Sequence, residues 1–219
     1  MGSGRRSLLR SPFFWATLGG LIAIPAIRPL LRYEPAPPPM LYRVPPFSLV
    51  DARGEPFGSA QLEGQVYVVD FIFTRCRSIC PLLTQAMSRL DQRYRESGTA
   101  GIRLVSVTVD PAYDTPQMLQ EYGAAHGIEP DRWSLLTGPP EAIRSLLTEG
   151  FRLPLGAEPG QAAPASDSGP PPDEGDLIDI AHTGKLVLVD RQGGVRGLYD
   201  IDDAGLDEIF HRSRHVLAE

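Results

Sequence analysis

Apolar residues fill QVYVVDFIF at 65–73 almost without alternation, the pattern of a central strand buried on both faces. Behind it, Leu82, Leu83, Ala86, Leu90 and Tyr94 recur at helical spacing, and Pro81 suits the first helical position. IRLVSVTV at 102–109 predicts a second buried strand. Thr115 or Asp114 then caps a helix whose first turn holds Pro116. A short strand over 133–136 and a helix containing 141–147 follow. KLVLVD (185–190), a Gly193-Gly194 turn and VRGLYD (195–200) predict a hairpin. Leu206, Ile209 and Phe210 mark a closing helix. Upstream, FSLVDARGEPF reads as two short strands about a turn at Gly54. Strands that alternate with helices and end in a hairpin and a helix predict an α/β sandwich, a mixed central sheet flanked by helices.

Outside this body the patterning changes twice. Arg5, Arg6 and Arg10 precede an apolar run from Pro12 to Ile27, extended by Leu30 and Leu31. A basic flank before such a run, with no clean small-residue cleavage site after it, predicts that 1–32 is an uncleaved signal anchor. The domain is then held at the cell membrane on the periplasmic, extracytoplasmic side. Residues 33–46 (YEPAPPPMLYRVPP) contain six prolines and read as a semi-rigid polyproline spacer. The domain itself is expected over 47–219. Residues 154–176 are Pro, Gly, Ala, Ser and acids with almost nothing to bury, which predicts a long mobile loop.

Charge and cysteine content narrow the chemistry. A net charge of −6 argues against nucleic acid as a partner, whose phosphates demand a basic face. The chain has only two cysteines, Cys76 and Cys80, too few for the disulfide framework of a small secreted fold. Both stand where the central strand passes into a helix, and a helix N-terminus favours thiolate over thiol. Arg75 and Arg77 add charge beside Cys76. An i, i+4 spacing on one helical turn places the sulfurs on one face, ready to form a disulfide or grip a metal ion. Two thiolates select soft metals, Cu(I) first among them outside the cytoplasm.

FIFTRCRSICP, VTVDPAYDTP and AHTGKLVLVDRQGGVRGLYD, in that order and spacing, resemble the Sco/SenC family over about residues 45–216. The resemblance implies a thioredoxin-like domain on one N-terminal helix. It implies binding of copper, as Cu(I) or Cu(II), for the binuclear copper centre of cytochrome c oxidase. The partner would be the copper-receiving subunit of that oxidase. The family's ligands map to Cys76, Cys80 and His182. The family commonly has Pro-Asp after the first cysteine, where this chain has Arg77 and Ser78.

The rival reading is an exported thiol–disulfide oxidoreductase in which Cys76 and Cys80 are catalytic and keep a target's cysteines reduced. Asp70, an acid inside an apolar strand six residues before Cys76, favours it, because thioredoxins place a proton-transferring Asp at that offset. A thiol peroxidase and a zinc hydrolase rank lower. Asp110 and Asp114 read first as capping and turn residues, with a role in orienting the site as the alternative. His211 and His215 read as a solvated helix face, His126 as a helix end, and Met87 and Met118 as core.

Overall fold

The computed structural model describes residues 37–153 and 184–219, together with Pro12, Phe13, Trp15, Leu18 and Leu21. The chain divides into two compact units, Met1–Ala36 and Pro37–Glu219. The five described positions of the first unit are helical; the rest of the expected anchor lies outside the described residues. Among the described residues, no helix is long and apolar enough to cross a membrane. The acidic, proline-rich stretch at 154–176 also lies outside them.

Among the described residues, the second unit is built on one eight-stranded mixed sheet. Its strands are β1 (Tyr42–Arg43), β2 (Ser48–Asp51), β3 (Pro56–Gly58), β4 (Val66–Ile72), β5 (Ile102–Thr108), β6 (Trp133–Thr137), β7 (Lys185–Val189) and β8 (Gly194–Asp200). They lie in the order β1-β8-β7-β4-β5-β6-β2-β3. β4, β5 and β6 run parallel, while β7 and β8 on one side and β2 and β3 on the other pair antiparallel. The helices are α1 (Ser59–Leu62), α2 (Cys80–Glu96), α3 (Pro116–Ala125), α4 (Pro140–Ser145) and α5 (Asp203–Leu217). α4 widens into a π turn at Leu146–Gly150.

All seven residues of β4 are buried, as the unbroken apolar run predicts. Neighbouring positions in a strand face opposite ways. The Phe71 ring therefore meets Phe151 edge-on on one face, centroids 5.1 Å apart, while Asp70 points to the other. On α2, Leu83, Met87, Leu90 and Tyr94 are all buried, each worth about 1.5–3 kcal/mol in apolar burial. Tyr94 also stacks on Phe210 of α5 and shares a 2.7 Å hydrogen bond with Ser213. α2 and α5 are thereby locked together, and the first turn of α2 sits over the end of β4. Met87 is core, whereas Met118 is only half-buried.

The proline-rich stretch read as a spacer contributes to this unit. Tyr42 and Arg43 pair with Val195 and Gly194 as an edge strand. Val44 is buried, the Tyr42 hydroxyl donates to the Phe151 carbonyl at 2.8 Å, and Arg196 Nε donates to the Pro38 carbonyl at 2.6 Å. Proline lacks an N–H, so it is tolerated on a sheet edge where no ladder bond is needed. Arg196 is itself nearly buried, held also by Asp190 and by both carboxylate oxygens of Glu219.

Candidate thiol and metal site

The site begins where β4 runs out. Cys76 does not lie on a helical turn with Cys80, as the spacing suggested; it sits in the loop before α2, whose first residue is Cys80. The helix has no side-chain cap on Ile79. Its first N–H groups lack intrahelical partners, and the Cys80 N–H donates to Cys76 Sγ at 3.4 Å. The sulfur stands where a cap oxygen ordinarily would. Ser78 Oγ lies 3.6 Å from the same sulfur.

The two thiols are consequently unlike. Partial burial pushes the Cys76 thiol up, but hydrogen bonds from Cys80 and Ser78 outweigh it and leave the thiol below its ordinary value. The arginine charges expected to act here are not the cause. Arg75 is committed to Asp110 at 2.6 Å and lies over the Tyr113 ring. Cys80 is 1% exposed, and burial, then the neighbouring Cys76, push its thiol well up. One sulfur is accessible and readily ionised; the other is shielded and holds its proton.

A clamp fixes the loop that carries Cys76. Asp114 is fully buried and accepts from the Thr74 N–H (3.0 Å), the Thr74 hydroxyl and the Thr108 hydroxyl (2.5 Å). Thr108 Oγ1 in turn accepts from the Asp110 N–H at 3.0 Å. With the Arg75–Asp110 pair, both residues before Cys76 are tied to the β5–α3 loop. Thr115 does cap α3, through the Met118 N–H, so neither aspartate is that cap. The Asp110 carbonyl accepts from the Tyr113 and Asp114 N–H groups, as the turn reading expects, and the two side chains also fit the alternative role of orienting the site.

Asp70 lies beneath the pair. It is fully buried, and Ser106, its register partner on β5, donates to Oδ1 at 2.5 Å. Trp133 Nε1 donates to Ser106 Oγ at 2.8 Å. Oδ2 has no partner. Burial pushes the Asp70 carboxyl up to about 7, with the Ser106 hydrogen bond opposing. Its charge also contributes to the upward push on Cys80.

His182 lies outside the described residues. The chain re-enters at Gly184, at φ +53, where a Cβ would stand 3.6 Å from Ile79 Cδ1, immediately before Cys80. Among the described residues, no three His, Cys, Asp or Glu side chains cluster as a metal site. Of the other histidines, His126 ends α3 with Nδ1 2.9 Å from the Tyr122 carbonyl, His211 is exposed, 3.8 Å from Asp207, and His215, expected on a solvated face, is half-buried on α5 with its Nδ1 inside. None of the three belongs to the cysteine loop.

Reading the chain by pattern missed Thr74, Thr108, Ser106 and Trp133. The signal was present: Ser106 and Thr108 are polar residues at alternate positions of an apolar strand, hence two groups on one face that need buried partners.

The family model described as SCO1/SenC matches residues 38–218. The chain belongs to the SCO1/SenC family. A Stutzerimonas stutzeri member named for copper binding is 32% identical over 154 residues, covering 70% of this chain and 67% of that protein. The SCO1/SenC family lipoprotein from Bacillus anthracis superposes with a TM-score of 0.67 at 27% identity, covering 81% of this chain and 96% of that one. BsSco, described with a disulfide switch and as a Sco-family cytochrome c oxidase assembly protein, gives 0.66 at 25% identity, covering 84% and 98%. The chain spans between 51% and 67% of the length of the first curated relatives it matches. The mixed sheet and its flanking helices are the thioredoxin-like fold of the SCO1/SenC proteins.

Proposed function

We propose that this chain is a membrane-tethered copper metallochaperone. It binds copper through Cys76, Cys80 and His182 and delivers it to the copper-receiving subunit of a cytochrome c oxidase. The observation that carries the reading is the pair of sulfurs at one loop-to-helix junction, one of them already favoured as thiolate. Thiolates suit Cu(I), and metal binding to Cys80 would displace the proton that burial retains. In support of the third ligand, Gly184, which follows His182 by two positions in the sequence, lies beside Ile79, the residue before Cys80. An imidazole would extend the site to Cu(II), which thiolates alone hold poorly. The copper-binding name of the S. stutzeri relative and the oxidase-assembly description of BsSco agree with this cargo and destination. The lipoprotein neighbour and the basic, apolar segment at 1–32 support tethering, with the domain on the extracytoplasmic side.

The test is copper titration of the reduced full chain against a chromophoric Cu(I) chelator, with optical spectra of the Cu(II) form. The expected stoichiometry is near one. Cys76→Ala and Cys80→Ala lose both oxidation states. His182→Ala retains much of the Cu(I) affinity and loses the sulfur-to-copper charge-transfer band. A reduced wild-type chain that takes up no copper ends the metallochaperone reading.

A second reading rests on Asp70, a buried acid with an unpartnered oxygen at a dithiol. In it the Cys76 thiolate attacks a target disulfide, and Cys80, giving its proton to Asp70, resolves the mixed disulfide. The target leaves as a dithiol and the pair as a disulfide, two electrons having moved. Slowed exchange in Asp70→Asn with copper affinity intact would favour it.

A further inference from the structure

The cysteines follow the end of β4, and a cavity of about 380 Å³ opens at the start of the same strand. From Tyr67 in its wall to Ile72, before the cysteine loop, is about 17 Å of strand. Besides β4, three stretches of chain close around it: the end of β1 at Arg43, α1, and the hairpin turn after β7. Backbone bonds fasten them, from the Val44 N–H to the Gly193 carbonyl at 2.9 Å and from the Gly64 N–H to the Arg191 carbonyl at 3.1 Å. Its volume is that of a pocket for a small ligand.

The wall holds a polar group that the fold does not use. Tyr67 is 3% exposed, yet its hydroxyl has no hydrogen-bond partner among the described residues. Buried hydroxyls are ordinarily paired, so an unpaired one lining a cavity marks the place of a ligand atom. Burial, and then the charge of Asp190, push the phenol up, so it keeps its proton and can donate. The other walls add cations. Arg43 forms no ion pair among the described residues, and Arg191 commits one nitrogen to the Leu217 carbonyl at 2.8 Å and pairs with no acid among them. Glu63, exposed, is the one acid among the described residues that line the cavity. Asp190 is already engaged by Arg196 and by the Gln192 and Gly194 N–H groups. The cavity is rich in donors and poor in acceptors.

We propose that this cavity binds a phosphoryl group, with the Tyr67 hydroxyl donating to one of its oxygens and Arg43 and Arg191 neutralising its charge. A tetrahedral oxyanion presents acceptors in several directions, which suits donors that arrive from separate stretches of chain. Guanidinium groups also match phosphate geometry. The source is either free phosphate or the headgroup of a phospholipid, which share this chemistry. The site stands apart from the reading of Cys76 and Cys80, and copper uptake bears on neither outcome of its test.

The test follows thermal unfolding of the full chain in non-ionic detergent against inorganic phosphate and, separately, glycerol 3-phosphate. Sodium chloride at matched ionic strength is the reference. Saturable stabilisation is expected, with a Kd on the order of 1 mM for inorganic phosphate. Glycerol 3-phosphate that binds about tenfold tighter assigns the site to a lipid headgroup; equal or weaker binding assigns it to the free ion. Tyr67→Phe removes one oxygen and breaks no hydrogen bond among the described residues. Its melting without phosphate should match wild type, while the phosphate Kd rises about tenfold, the loss of one charge-assisted hydrogen bond. Arg43→Gln, at an exposed side chain, should raise the Kd similarly. Hydrogen exchange at the Val44 and Gly64 amides should slow when phosphate binds, which locates the ligand between the stretches they join. Stabilisation no greater than with sodium chloride overturns the proposal. So does a phosphate Kd unchanged in either variant, a Tyr67→Phe chain that melts lower without phosphate, or protection that leaves those two amides unaffected.

Discussion

Replacing Asp70 by asparagine should stabilise the protein at neutral pH, an unusual outcome for a fully buried polar position. Burial lifts the Asp70 carboxyl from an ordinary 3.8 to about 7. A raised folded-state pKa means that the folded protein holds its proton where the unfolded chain has lost it. The associated stability is fully present below the unfolded value and is lost as pH rises through the folded one. The loss accumulates between about pH 4 and 7 and is complete above. At ~1.4 kcal/mol per pH unit it comes to about 4 kcal/mol, an upper figure because water can relax around the charge. Asparagine has nearly the same shape. Its carbonyl can still accept from Ser106, and its amide would occupy the position of the unpartnered Oδ2. Urea unfolding of reduced wild type and Asp70→Asn across pH 4–9 measures the effect. The stabilities should coincide near pH 4 and diverge by about 2–4 kcal/mol in favour of the variant above pH 7. Other titrating groups are common to both proteins and cancel in the difference. A difference that is flat with pH, or an asparagine variant less stable throughout, would refute the assignment of an unstabilised buried carboxylate.

Brief alkylation of the folded, reduced chain should label Cys76 alone, with a rate midpoint below that of a free thiol, since Cys80 is shielded; peptide mass spectrometry reads the site, and equal labelling of both cysteines would contradict the asymmetry. Asp114→Ala removes the acceptor of three hydrogen bonds and leaves the half-buried Thr74 and the buried Thr108 without it. It should cost about 3 kcal/mol by thermal unfolding, and a loss below 1 kcal/mol would mean that the clamp is not needed. The full chain should fractionate with membranes, and a version beginning at Pro37 behind a cleavable export signal with the exported soluble fraction; membrane association of the shorter version would place the tether elsewhere.

The strand and helix order was legible because the period of apolar residues changes cleanly, as at Phe73 before the cysteines and again at Lys185. The two cysteines were legible because they are the only ones and stand at that change of period. Their detailed geometry was not: a four-residue spacing looks helical, but Ile79 provides no cap and the helix starts only at Cys80, which throws Cys76 into the loop. Similarly, Asp110 and Asp114 look like turn residues in one dimension. Their partners Arg75 and Thr74 are 35 and 40 positions away, brought close only by the parallel pairing of β4 with β5. The pairing of Tyr42 and Arg43 with β8 was hidden for another reason: in YEPAPPPMLYRVPP the prolines dominate local preference, and the edge strand is too short to leave a period.

The cap formed by the Cys76 sulfur has a consequence for electrochemistry. The Cys80 amide rewards whatever acceptor stands before it, and a thiolate accepts far better than the sulfur of a disulfide. A helix cap is worth about 1 kcal/mol. Tied to one redox state only, that energy appears as a displacement of about 20 mV in the midpoint potential, towards easier reduction. The beginning of α2 therefore acts as a bias on the couple, and the exchange rate of a single backbone proton, that of Cys80, reports which state the pair is in.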